Sequence, residues 1–157
     1  MIVFTWNLLL ALAWVALWGV FTATNLLVGF VVGYVALRLV FKNRPGFEDY
    51  FYRLPRIITF IGFFIVDLVK SNVRVAYDVI TPRHHMRPGV VGIPLDVATD
   101  REITVLANLI SVTPGTLSLD VSSDRKVLYI HAMYIDDEDA LLQDIKELER
   151  RVHEILR

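Results

Sequence analysis

The 157-residue sequence contains no cysteine. Disulfides, thiolate nucleophiles, cysteine-held zinc and iron–sulfur clusters are therefore excluded. Charge is nearly missing from the first 41 residues, where Arg38 is the single ionisable Lys, Arg, Asp or Glu and there is no His. A relay of protons or cations through that stretch lacks carriers, because such paths are built from intramembrane ionisable groups. There is no basic region at the start, and the one Ala-x-Ala, Ala11-Leu12-Ala13, lies inside the apolar run. A cleavable signal peptide is therefore not expected. No glycine-rich phosphate loop occurs either.

What is present is apolar length. The stretch Met1 to Phe41 is about twice what one bilayer crossing needs, since ~20 residues span a ~30 Å hydrocarbon core. It reads as a tight transmembrane hairpin, with spans over Val3 to Val20 and Leu26 to Phe41. Phe21-Thr22-Ala23-Thr24-Asn25 is the reversal. Trp6 and Trp18 sit near opposite ends of the first span, as interfacial aromatics do. Gly29 and Gly33 are four apart on one face of the second span, a pair that lets helix backbones approach closely. They are candidate interface residues.

Charge is distributed unevenly over the remainder. Residues 42–87 hold eight Lys/Arg and four Asp/Glu, net +4, whereas residues 88–157 hold seven and thirteen, net −6. A basic belt beside membrane helices marks the cytoplasmic flank. Arg38, Lys42 and Arg44 place the end of the second span, and so the N-terminus, on that side, and the C-terminal domain is expected to be cytoplasmic. The acidic C-terminal part argues against nucleic acid as a partner.

Asn43-Arg44-Pro45-Gly46 is a turn signal, and Phe47 to Tyr52 mixes aromatics with charge. From Arg56 to Ile80 the pattern predicts one helix. Its first half is uncharged, while Asp67, Lys70, Ser71, Arg74 and Asp78 recur at helical spacing on one face. Ten uncharged residues are too few to span, so an amphipathic helix dipping into the bilayer or lying along its surface is expected. A third crossing, which would put the C-terminal domain outside, is the competing reading. Thr81-Pro82 and Arg87-Pro88-Gly89 end the helix and form a linker.

Residues 88–157 read as a compact α+β domain in the order β-α-β-β-α. Val90 to Leu95 is a strand that Pro94 pushes towards an edge. Thr99-Asp100-Arg101-Glu102 has capping-box form and starts a helix from Glu102 to Ser111. Thr116 to Val121 and Lys126 to Tyr134 form a hairpin. Asp136 to Asp139 begins a last helix, whose apolar stripe includes Leu141, Ile145, Leu148 and Val152. Two helices on one sheet face complete a two-layer domain. The expected organisation is thus a transmembrane hairpin (1–41), a basic loop with an amphipathic membrane-proximal helix (42–87), and a small α+β domain (88–157).

Catalytic, cofactor and metal sites are not expected. The adjacent His84-His85 pair has no carboxylate cluster beside it. Ser118, Asp120 and His131 lack a strained nucleophile turn and an oxyanion hole, so alternating strand positions account for them. Asp67, Lys70, Arg74 and Asp78 are candidates for docking against a partner subunit, and the alternative is a solvated interfacial face. Ile103, Leu106 and Ile110 offer more apolar surface than one sheet face needs. They are expected to contact a neighbouring subunit or the membrane-proximal helix. His131 is placed at a strand edge or subunit contact.

The segment Thr104-Val-Leu-Ala-Asn-Leu-Ile-Ser-Val-Thr-Pro-Gly-Thr-Leu-Ser-Leu-Asp-Val121, followed by Leu128-Tyr-Ile-His-Ala-Met133, closely resembles the E-type component of the multisubunit sodium/proton antiporter family of Mrp or Mnh type. Asp67-Leu-Val-Lys-Ser-Asn-Val-Arg-Val-Ala76, Arg87-Pro-Gly-Val-Val91 and the apolar hairpin fit the same family. The resemblance implies an accessory subunit of a bacterial or archaeal cell membrane, needed for assembly or full exchange. Large antiporter-like partner subunits would hold the ion path, and ion choice would reside in them. No catalytic residues, cofactor or enzymatic activity carry over. The alternative of another class is a free-standing membrane-anchored adaptor or sensor, whose small domain binds a ligand or soluble partner.

Overall fold

A computed structural model of the chain describes every residue except Met1, Asn43, Pro45, Gly46, Arg83, His84, His85, Ala98 and Arg157. His84-His85 and most of the Asn43–Gly46 turn therefore lie outside the described residues. The chain forms two compact units, Met1–Arg56 and Ile57–Arg157. The expected 42–87 segment is thus shared between them.

The first unit pairs helix α1 (Ile2–Trp18) with helix α2 (Ala23–Phe41). Gly19 ends α1 with a positive φ of 69°, and its N–H donates to the Val15 carbonyl at 3.0 Å. A left-handed residue after a helix is favoured as glycine because it has no Cβ to clash. The Thr22 hydroxyl caps α2 by accepting from Asn25 N at 3.2 Å. The Asn25 amide donates to Val20 O at 2.8 Å and accepts from Trp14 Nε1 at 3.1 Å. Polar needs of the reversal are thereby met inside the chain, as an apolar surrounding requires. The seam between the helices is Val3, Asn7, Ala11 and Val15 on one side and Gly29, Gly33 and Leu37 on the other, each set spaced by four.

Helix α3 (Glu48–Ile80) is longer than expected and starts ahead of Arg56. It passes through Pro55, which has no N–H to donate to the carbonyl four residues back, on Phe51. The Tyr34 hydroxyl donates to that carbonyl instead, at 3.3 Å. Rings of Phe41 and Phe47 stack at 4.8 Å, so the start of α3 is joined to the end of α2.

The second unit contains the rest of α3, then β1 (Gly89–Pro94), α4 (Asp100–Val112), β2 (Thr116–Val121), β3 (Val127–Ala132) and α5 (Glu138–Leu156). The strands make one antiparallel sheet in the order β1-β3-β2, which puts the Pro94 strand at an edge. Register slips between Ser118 and Asp120, leaving Leu119 in a bulge. The capping box of α4 forms as the sequence implies, with Thr99 and Glu102 bonding each other's backbone N–H. Asp137 caps α5 by accepting from Asp139 N at 3.0 Å.

One face of the sheet is the core. Val91, Ile93, Leu128 and Ile130 meet Ile103, Leu106 and Ile110 of α4 and Ile145 and Leu148 of α5. A fully buried aliphatic of this kind contributes about 1.5–3 kcal/mol. Phe60, Phe63 and Phe64 of α3 also pack against this core, so the helical layer has three members where two were expected.

Candidate functional site

The side chains the sequence singled out do not converge on one reaction centre. They distribute over three surfaces, each of which holds elements together or is left open.

Within the hairpin, Gly29 and Gly33 are points of closest approach between α1 and α2. A Cβ on Gly29 would stand 2.9 Å from Trp14 Cβ and 3.0 Å from the Ala11 carbonyl oxygen; one on Gly33 would stand 2.5 Å from Asn7 Oδ1. Both glycines therefore face α1 of the same chain. Asn7 is fully buried, and its Nδ2 donates to the Tyr50 hydroxyl at 2.7 Å. Its Oδ1, turned to Gly33, accepts no hydrogen bond among the described residues. Arg38 Nη1 donates to the Tyr34 hydroxyl at 3.3 Å. These groups form a polar patch at one end of the hairpin, ringed by Phe4, Tyr34, Tyr50 and Phe51. No carboxylate or imidazole from α1 or α2 joins it, since neither helix contains one.

The charged side of α3 faces the chain's own domain. Arg74 pairs with Asp136 at 2.5 Å and lies 4.3 Å over the Tyr134 ring. Asp78 is buried beside Tyr134, whose phenol pKa is raised by burial and further by that carboxylate. Asp67 lines a cavity of about 360 Å³ with Lys70, Ser71, Asp144, Glu147 and the Thr113-Pro114-Gly115-Thr116 turn. Partial burial raises the Asp67 pKa, and Asp144 on α5 adds to the shift. Arg150, then Arg151, hold Glu147 down to about 2. Arg74 and Glu147 are thus engaged within the chain. No group of three metal-ligating side chains occurs among the described residues.

The Thr-Pro-Gly-Thr turn works as a joint. Thr116 Oγ1 donates to Ile110 O at 2.6 Å, Gly115 has φ 92°, and Met133 N donates to Gly115 O at 2.8 Å. It ends α4 and starts β2 in register with β3. Ile103, Leu106 and Ile110 lie in the domain's own core, with Leu106 at 0% exposure.

His131 is half-buried on the sheet face opposite the helices, opposite Val90 and Leu117 in the ladder. Val90, Leu117, Leu119 and Tyr129 are exposed there, which makes an open, largely apolar face. Ser118 points the other way, donating to Ala107 O at 2.9 Å. Ser118 and His131 therefore occupy opposite sides of the sheet, and no triad geometry exists between them.

Three further positions matter that the sequence pattern does not single out. Asn7 carries a signal, being an amide at the centre of an apolar run. Glu149 lies on the apolar stripe of α5 and is 2% exposed; it accepts from Asp96 N at 2.7 Å and Val97 N at 3.0 Å and pairs with Lys146 at 2.9 Å. Tyr50 gives no signal, because its role depends on the contact with Asn7.

Residues 7–155 match a family model described as Na+/H+ ion antiporter subunit, MNHE. The chain belongs to this family. Among MNHE relatives, the E subunit of the Na(+)/H(+) antiporter of Alkalihalophilus pseudofirmus is 38% identical over 150 residues, covering 95% of this chain and 94% of the relative. That of Bacillus subtilis is 36% identical over 152 residues, covering 96% of each. A chain in the structure of the Mrp complex from a Dietzia species is similar at TM-score 0.50 and 29% identity, covering 65% of this chain and 96% of that one. A chain of the archaeal membrane-bound sulfane sulfur reductase shares the fold at TM-score 0.59 over 98% of both chains, at 24% identity.

Proposed function

We propose that this chain is an accessory subunit of a multisubunit sodium/proton antiporter in the cell membrane, which supports assembly and exchange without holding the ion path. The observation that carries this reading is the hairpin. Its seam joins Ala11, Gly29, Gly33 and the Asn7 amide to Val3, Val15 and Leu37, its outer surface is apolar, and neither helix has an acidic or imidazole group with which to pass a proton. Among the described residues Ala23–Phe41 is long and apolar enough to cross a membrane, and Ile2–Trp18 is a shorter apolar partner. Leu17 at 86% and Leu39 at 78% exposure suit a lipid surround. Both helices cross in this reading, and the basic belt of Lys42, Arg44, Arg53 and Arg56 puts the α/β domain in the cytoplasm. The open sheet face around His131 is the surface offered to companion subunits, which matches the family's place in an assembly.

Mild-detergent extraction followed by native sizing tests the reading. The chain should migrate in a complex many times its 18.0 kDa mass. Migration as a monomer or small homo-oligomer would contradict it. A cysteine at Ser123 should resist a membrane-impermeant reagent added to intact cells. Labelling from outside would overturn the topology.

A further inference from the structure

Helix α3 is amphipathic in an inverted sense. Between Ile57 and Ile80 its charged residues are Asp67, Lys70, Arg74 and Asp78, and all four lie on the half of the helix that faces the chain's own α/β domain or borders it. The opposite half is apolar and open. Ile58 is 62% exposed, Ile65 53%, Val69 57%, Val73 63% and Ile80 79%. A Cβ on Gly62 would meet nothing within 4 Å. The one amide on this side, Asn72, turns back on its own helix and donates to Leu68 O at 2.8 Å. At ~1.5 Å per residue the stripe runs for about 33 Å.

We propose that this stripe, Ile58 to Ile80, lies in the plane of the bilayer surface, with the α/β domain fixed to its other side. Three observations select lipid. First, α3 begins where the hairpin ends, with Phe47 stacked on Phe41. The helix therefore leaves from the membrane. Second, the domain grips α3 along most of this length, from Phe60 through Phe63 under Arg151 to Arg74 on Asp136. A crossing would carry Asp67, Arg74, Asp136 and Asp144 into hydrocarbon, where each charge costs about 2.5–3.5 kcal/mol or more. A helix lying flat leaves them in water. Third, cations border the stripe, Arg56 before it and Lys70 at its edge, and both can reach lipid phosphates from an interfacial helix.

The inference rests on the hairpin crossing the bilayer, but not on the accessory role. It is tested on the full chain, which is naturally free of cysteine. Single spin labels go at Ile58, Ile65, Val69, Val73 and Ile80, with Leu12 in the hairpin as reference. The chain is reconstituted in phosphatidylethanolamine–phosphatidylglycerol vesicles, alone and within its purified complex. Depth is read from accessibility to oxygen against a water-soluble nickel chelate. The five α3 labels should report one common depth, about 5–10 Å below the headgroups, with Leu12 deeper. A depth that changes steadily along the helix by about 1.5 Å per residue would mean a crossing and overturn the proposal. Full access to the nickel chelate with Leu12 still in lipid would overturn it while leaving the hairpin intact. Loss of access to both reagents within the complex would assign the stripe to a protein partner and equally overturn it.

Discussion

The two units of this chain are built inside out with respect to each other. In Met1–Arg56 the closest part of the seam is small or polar, with Ala11, Asn7, Gly29 and Gly33, only a few larger apolar side chains such as Val3, Leu37 and Phe51 are buried, and most Leu and Trp side chains point outward. In Ile57–Arg157 the interior is Ile93, Leu106, Leu128 and Ile130, and most charges lie outside. Water drives the second arrangement, because burying aliphatic surface is its main source of stability. In lipid that drive between helices is lost, so close packing and a few hydrogen bonds must hold the pair. The outward half of α3 follows the rule of the first unit although it belongs to the second. That mismatch is the ground for the proposed contact of α3 with lipid.

The contrast can be broken most sharply by removing aliphatic bulk from each unit. Leu106→Ala should cost about 3 kcal/mol, since the site is fully buried in a packed core, whereas Leu12→Ala on the exposed face of α1 should cost almost nothing. Urea unfolding of the full chain in detergent, followed by circular dichroism, reads both; equal losses would erase the distinction. Next in size is Glu149→Ala, which strands the N–H groups of Asp96 and Val97 and leaves Lys146 with Asp96 alone. A loss of about 2 kcal/mol is expected, and a neutral outcome would mean water replaces the carboxylate. In the hairpin, Asn7→Leu removes one bond to Tyr50 and should cost about 0.6 kcal/mol, seen as loosened α1–α2 cross-linking between introduced cysteines. A far larger loss would show that the seam depends on polar glue more than on small residues.

The smallest effect depends on pH. Asp67 has its pKa raised by burial and by Asp144, so the folded chain holds that proton more tightly than the unfolded one. Stability from this site is present at low pH and falls as pH rises through the carboxylate range. Asp67→Asn should raise the unfolding midpoint slightly at neutral pH and lose that advantage in acid. Glu147 has the opposite sign: held down to about 2, its pairs with Arg150 and Arg151 contribute above the ordinary carboxylate range and fade as pH falls towards that value. An advantage for Asp67→Asn that persisted in acid would remove charge repulsion as its cause.

Local patterns are legible in the sequence where a single element decides them. Thr99 and Glu102 announce the start of α4, Pro94 announces an edge strand, and the Leu141 to Val152 stripe announces the buried side of α5. The hairpin helices follow from apolar length. What is not legible depends on distant partners. Pro55 should delay α3, yet the Tyr34 hydroxyl satisfies the orphaned Phe51 carbonyl and the helix starts at Glu48. Asp67, Arg74 and Asp78 read as a face for a partner or for water, because nothing local reveals that the chain's own domain lies against them. The apolar surplus of Ile103 to Ile110 does point to the membrane-proximal helix as one of two partners, and three phenylalanines of α3 pack on that core, but which phenylalanines they are is not legible. The Ser118–Asp120 bulge leaves no mark that separates it from regular alternation.

We propose that a hairpin with no acidic or imidazole group serves an antiporter without being one. The most direct measurement places the purified chain alone in sealed vesicles containing a pH-sensitive dye and applies a sodium gradient. No sodium-driven change in internal pH is expected, and exchange should return when the companion subunits are present. Exchange by this single polypeptide would contradict it.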